Sequence, residues 1–309
     1  RLVNGEIWPI PILFPKPEGI EIKKKSTLIL KYKNFNFAKL TVSEVYTYDL
    51  KKLSKLFFGT TNHDHPGVKY IQKNGNTFIT GKLKKFLKLS QILKINSLDP
   101  SQTRSIIKKR KWKKIVGFHT RNPPHRAHEY LHKCSLENSD GLLIHPVLGT
   151  KKKGDFTNSA ILTGYKTYVK NYLRKENLIL TSLLINSRYA GPKEAVFTAI
   201  VRRNYGCTHF IVGRDHTGVK NFYDKYASQK IFEKLPDINI KILKFDEPFF
   251  CKRCNQITTK KTCRCSSGFH IKISGTKIRK AIQEKKSLPD YIIRKEVMKT
   301  LIKTKNCFT

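Results

Sequence analysis

Two histidines stand three residues apart in GFHTRNPPHRAHEYL (117–131), directly after a turn built on Asn122, Pro123 and Pro124. If a helix begins there, His125 and His128 share one face of its first turn. The free amides and the positive dipole end of that turn attract anions. Arginine is scarce in this chain, and Arg121, Arg126, Arg188 and Arg214 fall in turns rich in glycine, proline or histidine. A planar guanidinium in such a turn can grip an oxyanion with two parallel bonds. A second chemistry is written in Cys251-x-x-Cys254 and Cys263-x-Cys265, because thiolates at this spacing fit one tetrahedral zinc ion. No Ser-His-Asp or Cys-His nucleophile arrangement accompanies these groups, so the pattern points to electrostatic handling of anions. Taken alone, the histidine pair would also suit an ordinary polar helix start.

Elements that could position these groups follow from the apolar pattern. From about residue 111 onward, buried-strand runs alternate with helical stretches: IVGF (115–118), GLLIHPVL (141–148), LILTSLLI (178–185), HFIVG (209–213) and KILKF (241–245). Helices are expected over about 125–137, 157–173 and 192–204. Strands separated by helices imply an α/β fold with a doubly wound parallel sheet, in which ligands bind beyond the carboxyl ends of the strands. HTRNPPHRAH, RYAGPK and GRDH each follow such a strand, so three polar clusters are expected on one sheet edge. Ahead of residue 111, IWPIPILF, STLILKY, AKLTVSEVYTY and NTFITGKL are extended runs separated by turn signals, which reads as a mainly β domain. The expected division is therefore 1–110 and 111–309, with a metal-binding segment over 249–270 and closing helices within 274–305.

Composition narrows the partners. The 309 residues carry a formal net charge of +40, which by itself invites nucleic acid. The lysines are spread through every segment, with KKRKWKK (108–114) the densest patch, and Lys outnumbers Arg 48 to 14. That suits solvated faces better than phosphate recognition, where arginine is favoured, so nucleic acid is not the expected partner. No apolar run is long enough to span a membrane. Seven cysteines, four of them clustered, suit a reducing cytoplasmic setting and one metal site better than a disulfide framework. The chain opens on Arg1 rather than Met, so a natural start is expected to lie upstream, and organellar targeting stays open.

The string F-x-TRNPPHRAHEYL, together with HPVLGTKKKGDF, RYAGPKEAVFTAIVRRNYGCTHFIVGRDHTG, ISGTKIR, IWPIPI and FGTTNHDHPGVKY, resembles the ATP sulfurylase (sulfate adenylyltransferase) family over nearly the whole chain. The resemblance implies a PUA-like N-terminal domain followed by a Rossmann-like nucleotidylyltransferase domain of the HxGH type, here with Ala127 in place of the glycine. It implies ATP and sulfate as substrates, adenylyl sulfate and pyrophosphate as products, and Mg²⁺ accompanying ATP. Thr120, Arg121 and Asn122 would contact phosphates, with Arg121 also reaching sulfate, and His125 and His128 would stabilise the transition state. Gly213, Arg214, Asp215, His216 and Thr217 would line the ATP and sulfate site, Arg214 as a second sulfate-binding arginine.

Three positions depart from the family pattern. His119 stands where a sulfate-contacting glutamine is usual, and Thr217 where alanine is usual. Ser267 stands where zinc-bearing members carry a histidine, so Cys265 is expected to complete the set of Cys251, Cys254 and Cys263, with His270 the alternative fourth ligand of a structural Zn²⁺. Two rival readings follow from the same residues. One is a basic zinc-ribbon nucleic-acid-binding protein with a degenerate nucleotide fold. The other is a nucleotidylyltransferase acting on another acceptor. Assembly into a homo-oligomer is left open by the sequence.

Overall fold

The computed structural model describes every residue except Asn96, Lys152, Asp215 and Lys220. It divides into two compact units, one of Arg1–Ser97, Arg188–Phe197 and Asp215–Asp237, the other of Leu98–Ser187, Thr198–Arg214 and Ile238–Thr309.

In the first unit, β1 (Thr27–Tyr32), β2 (Phe35–Thr47) and β3 (Thr77–Lys85) form an antiparallel sheet in the order β1-β2-β3. Ile22, Leu40, Val42 and Ile79 make its buried cluster, with Leu28, Leu30 and Val45 packed against it. Helices α1 (Leu50–Phe58) and α2 (Pro66–Lys73) lie between β2 and β3, and the short α3 (Leu89–Ile92) follows. The Asp49 side chain caps α1, and Gly59 ends it at φ 72°, a left-handed turn that suits a residue without Cβ. The run IWPIPILF forms no strand: Pro9 and Pro11 bring no amide donor, and pairing in that stretch is limited to the amide of Ile79 donating to Phe14 O and an isolated bridge between Pro15 and Phe78.

In the second unit, α4 (Pro100–Lys109) leads into β4 (Ile115–Thr120), α5 (Arg126–Leu136), β5 (Gly141–Pro146), α6 (Asn158–Tyr172) and β6 (Leu178–Leu180). After α7 (Pro192–Asn204, in the first unit as far as Phe197) come β7 (His209–Val212), the short α8 (Ala227–Lys230, in the first unit) and β8 (Lys241–Lys244). The sheet runs β6-β5-β4-β7-β8 with every neighbouring pair parallel. Strand β5 is buried at all six positions, as its continuous apolar run requires when helices cover both faces. The chain winds outward from β4 through β5 to β6, then returns to add β7 and β8 on the other edge. The topological switch point thus falls between β4 and β7. Regular pairing of LILTSLLI stops at Leu180; beyond it Leu183 still bridges Val147, and the Thr181 hydroxyl accepts from the amide of Leu98.

A second small sheet, β10-β9-β11, is made from β9 (Phe249–Cys251), β10 (Gln256–Thr258) and β11 (His270–Lys272), all antiparallel. Helices α9 (Gly275–Gln283) and α10 (Lys295–Lys303) close the chain, α10 against α6. Strand β4 carries one close approach that sets its neighbours. The fully buried Arg202 crosses Gly117 and donates from Nη2 to the carbonyl of His145 at the end of β5. A Cβ on Gly117 would stand 2.7 Å from Arg202 Cγ and 3.1 Å from Cys207 Sγ. Gly117→Ala is therefore expected to destabilise the protein by about 1–3 kcal/mol, read as a lower urea midpoint at unchanged slope. An unchanged midpoint would mean that Arg202 gives way freely.

Candidate active site

The site grows out of the carboxyl end of β4. His119 and Thr120 are its last residues, and Thr120 is buried. The Thr120 hydroxyl donates to the carbonyl of Asn122 at 3.1 Å and accepts from the Asn122 amide at 3.2 Å, folding the chain back on itself. Pro123 and Pro124 are buried beyond this turn, and His125 is extended, with φ −139° and ψ 174°. His125 is the residue that caps α5: its Nδ1 accepts from the amide of His128 at 3.4 Å. The two imidazoles stack with centroids 3.7 Å apart, and Phe118 meets His128 edge-on. The hydroxyl of the fully buried Tyr165 lies 3.4 Å from His128 Nδ1. The expected pairing of the two histidines on one turn is thus present, with one of them serving as the cap.

Burial keeps these rings neutral at neutral pH. It lowers His125, a half-buried residue, to about 4. His128 is lowered well below the usual range, first by burial and then by the neighbouring His125 and His132. His132, one turn further along α5 and 3.2 Å from the Tyr168 hydroxyl, is fully buried and pushed down to about 3. At the head of α5, then, the rings are neutral hydrogen-bonding groups rather than fixed positive charges.

Fixed charges follow the ends of this strand and its neighbours. Arg121 follows β4 and is half-buried. Lys151, in the loop after β5, donates to Val147 O at 2.9 Å. On the opposite flank, Gly213 and Arg214 follow β7, and Arg214 Nη1 pairs with Glu247 Oε2 at 3.0 Å, while Lys272 stands 3.7 Å from the other oxygen. The sequence reading missed Glu247; its only mark was an acidic residue in the DEPF turn after β8. Arg126, one of the arginines expected to grip an anion, is engaged by carboxylates of the fold. It pairs with Glu129 at 3.3 Å and Asp290 at 3.6 Å. Glu129 is buried, yet Arg294 at 2.7 Å, Lys133 and Arg126 outweigh that burial and hold its carboxyl below the usual range.

Of the other expected site residues, Asp215 lies outside the described residues, and His216 and Thr217 belong to the first unit. Thr217 is buried at φ 58°, and its hydroxyl donates to the carbonyl of Gly191 at 2.9 Å, joining the GRDH and RYAGPK segments. Arg188 is in the same unit, where its guanidinium lies over the Phe197 ring.

The cysteine segment meets a plain geometric test. The sulfurs of Cys251, Cys254, Cys263 and Cys265 all lie within 4.8 Å of one another, with Cys254 Sγ 3.9 Å from Cys263 Sγ and 3.5 Å from Cys265 Sγ. Zinc–sulfur bonds of roughly 2.3 Å in a tetrahedron set sulfurs roughly 3.8 Å apart, so the cluster can hold a metal ion. The amide of Cys254 donates to Cys251 Sγ, and Cys251 is lowered to about 7, that amide being the largest cause. His270 pairs with Cys251 across β11 and β9, which brings its Nε2 to 3.9 Å from Cys263 Sγ.

Residues 96–304 match the ATP-sulfurylase family, and residues 1–88 match the PUA-like domain. The chain belongs to the ATP-sulfurylase family. It is 39% identical over 310 residues to a sulfate adenylyltransferase of Staphylothermus marinus, covering all of this chain and 81% of that one. It is 41% identical over 307 residues to one of Carboxydothermus hydrogenoformans, covering 97% of this chain and 80% of the other. Among solved structures, a hexameric APS kinase from Thiobacillus denitrificans matches with a TM-score of 0.71 at 18% identity. That likeness is one of fold, and this chain, 97% covered, spans 54% of that chain. Neither a zinc-ribbon nucleic-acid binder nor another acceptor is favoured by these matches. Among the described residues, no helix is long and apolar enough to cross a membrane.

The buried histidines make stability depend on pH. An unfolded histidine takes up its proton near about 6.5. In the folded protein His125 does so only near 4 and His132 near 3. Between those values the unfolded chain binds more protons, so stability is full above the upper one and is lost as pH falls. The urea midpoint is expected to drop steadily from about pH 7 to about pH 5. A flat profile would mean that the rings protonate without cost in the folded protein.

Proposed function

We infer that this chain catalyses adenylyl transfer to sulfate, ATP + sulfate giving adenylyl sulfate and pyrophosphate. The observation that carries the reading is the family match over residues 96–304, which contains the neutral histidine pair at the head of α5. A sulfate oxygen forms the new bond to the α-phosphorus in line with the departing bridging oxygen, whose bond breaks to release pyrophosphate. Such a displacement asks for positioning and charge stabilisation more than for a protein nucleophile.

In this reading Arg121 and Arg214, on adjacent strand ends, hold sulfate and phosphate oxygens, and Thr120 and Asn122 keep the turn in shape. His125 and His128 donate hydrogen bonds to the reacting phosphates. His119, Gly213, Asp215, His216 and Thr217 complete the proposed substrate set. Arg214 must exchange its bond to Glu247 for sulfate, or bind sulfate through its remaining N–H groups. Mg²⁺ travels with ATP and would neutralise phosphate charge. The catalytic part is proposed to begin at residue 111. Seven free cysteines favour a reducing, cytoplasmic setting.

Purified protein given adenylyl sulfate, pyrophosphate and Mg²⁺ is expected to form ATP. Arg214→Lys keeps the charge and loses the planar fork, so kcat/KM for sulfate should fall by about 10²-fold or more. Absence of ATP formation would defeat the reading, and an unchanged Arg214→Lys would remove that residue from the sulfate site.

We also propose that Cys251, Cys254, Cys263 and Cys265 hold one structural Zn²⁺, because four thiolates close the tetrahedron and leave no position for substrate. Elemental analysis should find one zinc per chain, retained better in His270→Gln than in Cys265→Ser. The reverse order would make His270 the fourth ligand.

A further inference from the structure

We propose that Lys151 is a specificity-determining residue of this same site, holding the pyrophosphate that leaves in adenylyl transfer and enters in the reverse reaction. The inference rests on the reaction proposed above and gives a role to one residue of HPVLGTKKKGDF (145–156), a string that carries the family resemblance but to which no role was given.

Strand order supplies the first argument. β4 is flanked by β5 on one edge and β7 on the other. Arg214 leaves the end of β7 and Lys151 the loop after β5, so the two cations stand on opposite flanks of Arg121 and the histidine turn. In-line displacement puts the entering and departing groups on opposite sides of the α-phosphorus. If Arg214 marks the sulfate side, the β5 side receives the departing pyrophosphate.

The surroundings of Lys151 supply the second. Its ammonium is half-buried and held by the carbonyl of Val147, whose own amide donates to the carbonyl of Thr120 at the end of β4. No carboxylate lies within ion-pair distance of it among the described residues. The charged groups that face it are Arg121 from beyond β4 and Asp155 from its own loop, and Asp155 is shared with Arg279 of α9 at 3.7 Å. Burial first, then Arg121, lowers Lys151 to about 8, with Asp155 opposing. A half-buried ammonium beside another cation is unfavourable until a polyanion arrives, and a pyrophosphate spanning Arg121, Lys151 and Arg279 would relieve it.

Binding a polyanion favours the charged lysine, so pyrophosphate should bind more weakly as pH rises through about 8. The test measures KM for pyrophosphate and for adenylyl sulfate from about pH 7 to about pH 9 in wild type, Lys151→Met and Lys151→Arg. Calorimetric titration of Mg²⁺-pyrophosphate into each protein runs beside it. Lys151→Met should raise KM for pyrophosphate by about tenfold and weaken its binding alike, with KM for adenylyl sulfate within about twofold. Lys151→Arg should restore affinity and remove the alkaline loss, since its guanidinium stays charged. Equal pyrophosphate affinity in wild type and Lys151→Met, or an equal rise in both KM values, would overturn the proposal. Wild type that turned over no adenylyl sulfate would defeat the reaction assignment instead, and calorimetry would still decide whether Lys151 binds pyrophosphate.

Discussion

Strand β4 pairs in parallel with β5 on one edge and with β7 on the other, and the chain must leave the sheet in opposite directions from those two neighbours. The crevice this leaves at the carboxyl end of β4 is where Arg121, the histidine turn and Arg214 emerge. Close packing beneath β4 makes the arrangement stiff. Arg202 fits only because residue 117 has no side chain, and its guanidinium ties the carbonyl at the end of β5 to the helix behind. Had β4 been an edge strand, the anion-binding groups would line one side of a flank and could not bracket a substrate.

Charge at this crevice is organised by removing competitors as much as by adding cations. Arg126 and Arg294 both pair with the buried Glu129, which ties the start of α5 to the segment before α10. The imidazoles at the head of α5 are kept neutral by burial, so they offer N–H donors without repelling the neighbouring guanidinium groups. Lys151 and Arg214 carry the charge on the two flanks. Glu247 pairs with Arg214 and balances part of the charge on that flank.

The cysteine segment is positioned by a different device. β9 is the centre of a three-stranded sheet, and antiparallel pairing on both of its edges brings Cys251 level with Gln256 and with His270. The turn after β9 then supplies Cys254, and the loop between β10 and β11 supplies Cys263 and Cys265. A tetrahedral site can form here because the strands fix two directions and the loops close the others.

Much of this was written in the chain itself. Apolar runs bounded by turn residues gave β4, β5, β7 and β8 within a residue or two, and the spacing of the two histidines placed them on one helical turn. Cysteine spacing alone marked the cluster of four sulfurs that could hold a metal. Those features are local, set by periodicity and by what a single turn can reach. Other features depended on what meets across the fold. IWPIPILF has the apolar content of a strand, but its prolines deny it a ladder. Arg126 carries the same signal as Arg121, and only the tertiary structure shows that it meets Glu129 and Asp290. Glu247 opposite Arg214, Arg202 across Gly117 and the lowered basicity of Lys151 depend on groups distant in the chain being brought together. Sequence pattern fixes which face a side chain presents along its own element. Which charges meet across elements, and at what depth, is decided only when the sheet order and the packed helices exclude water from between them.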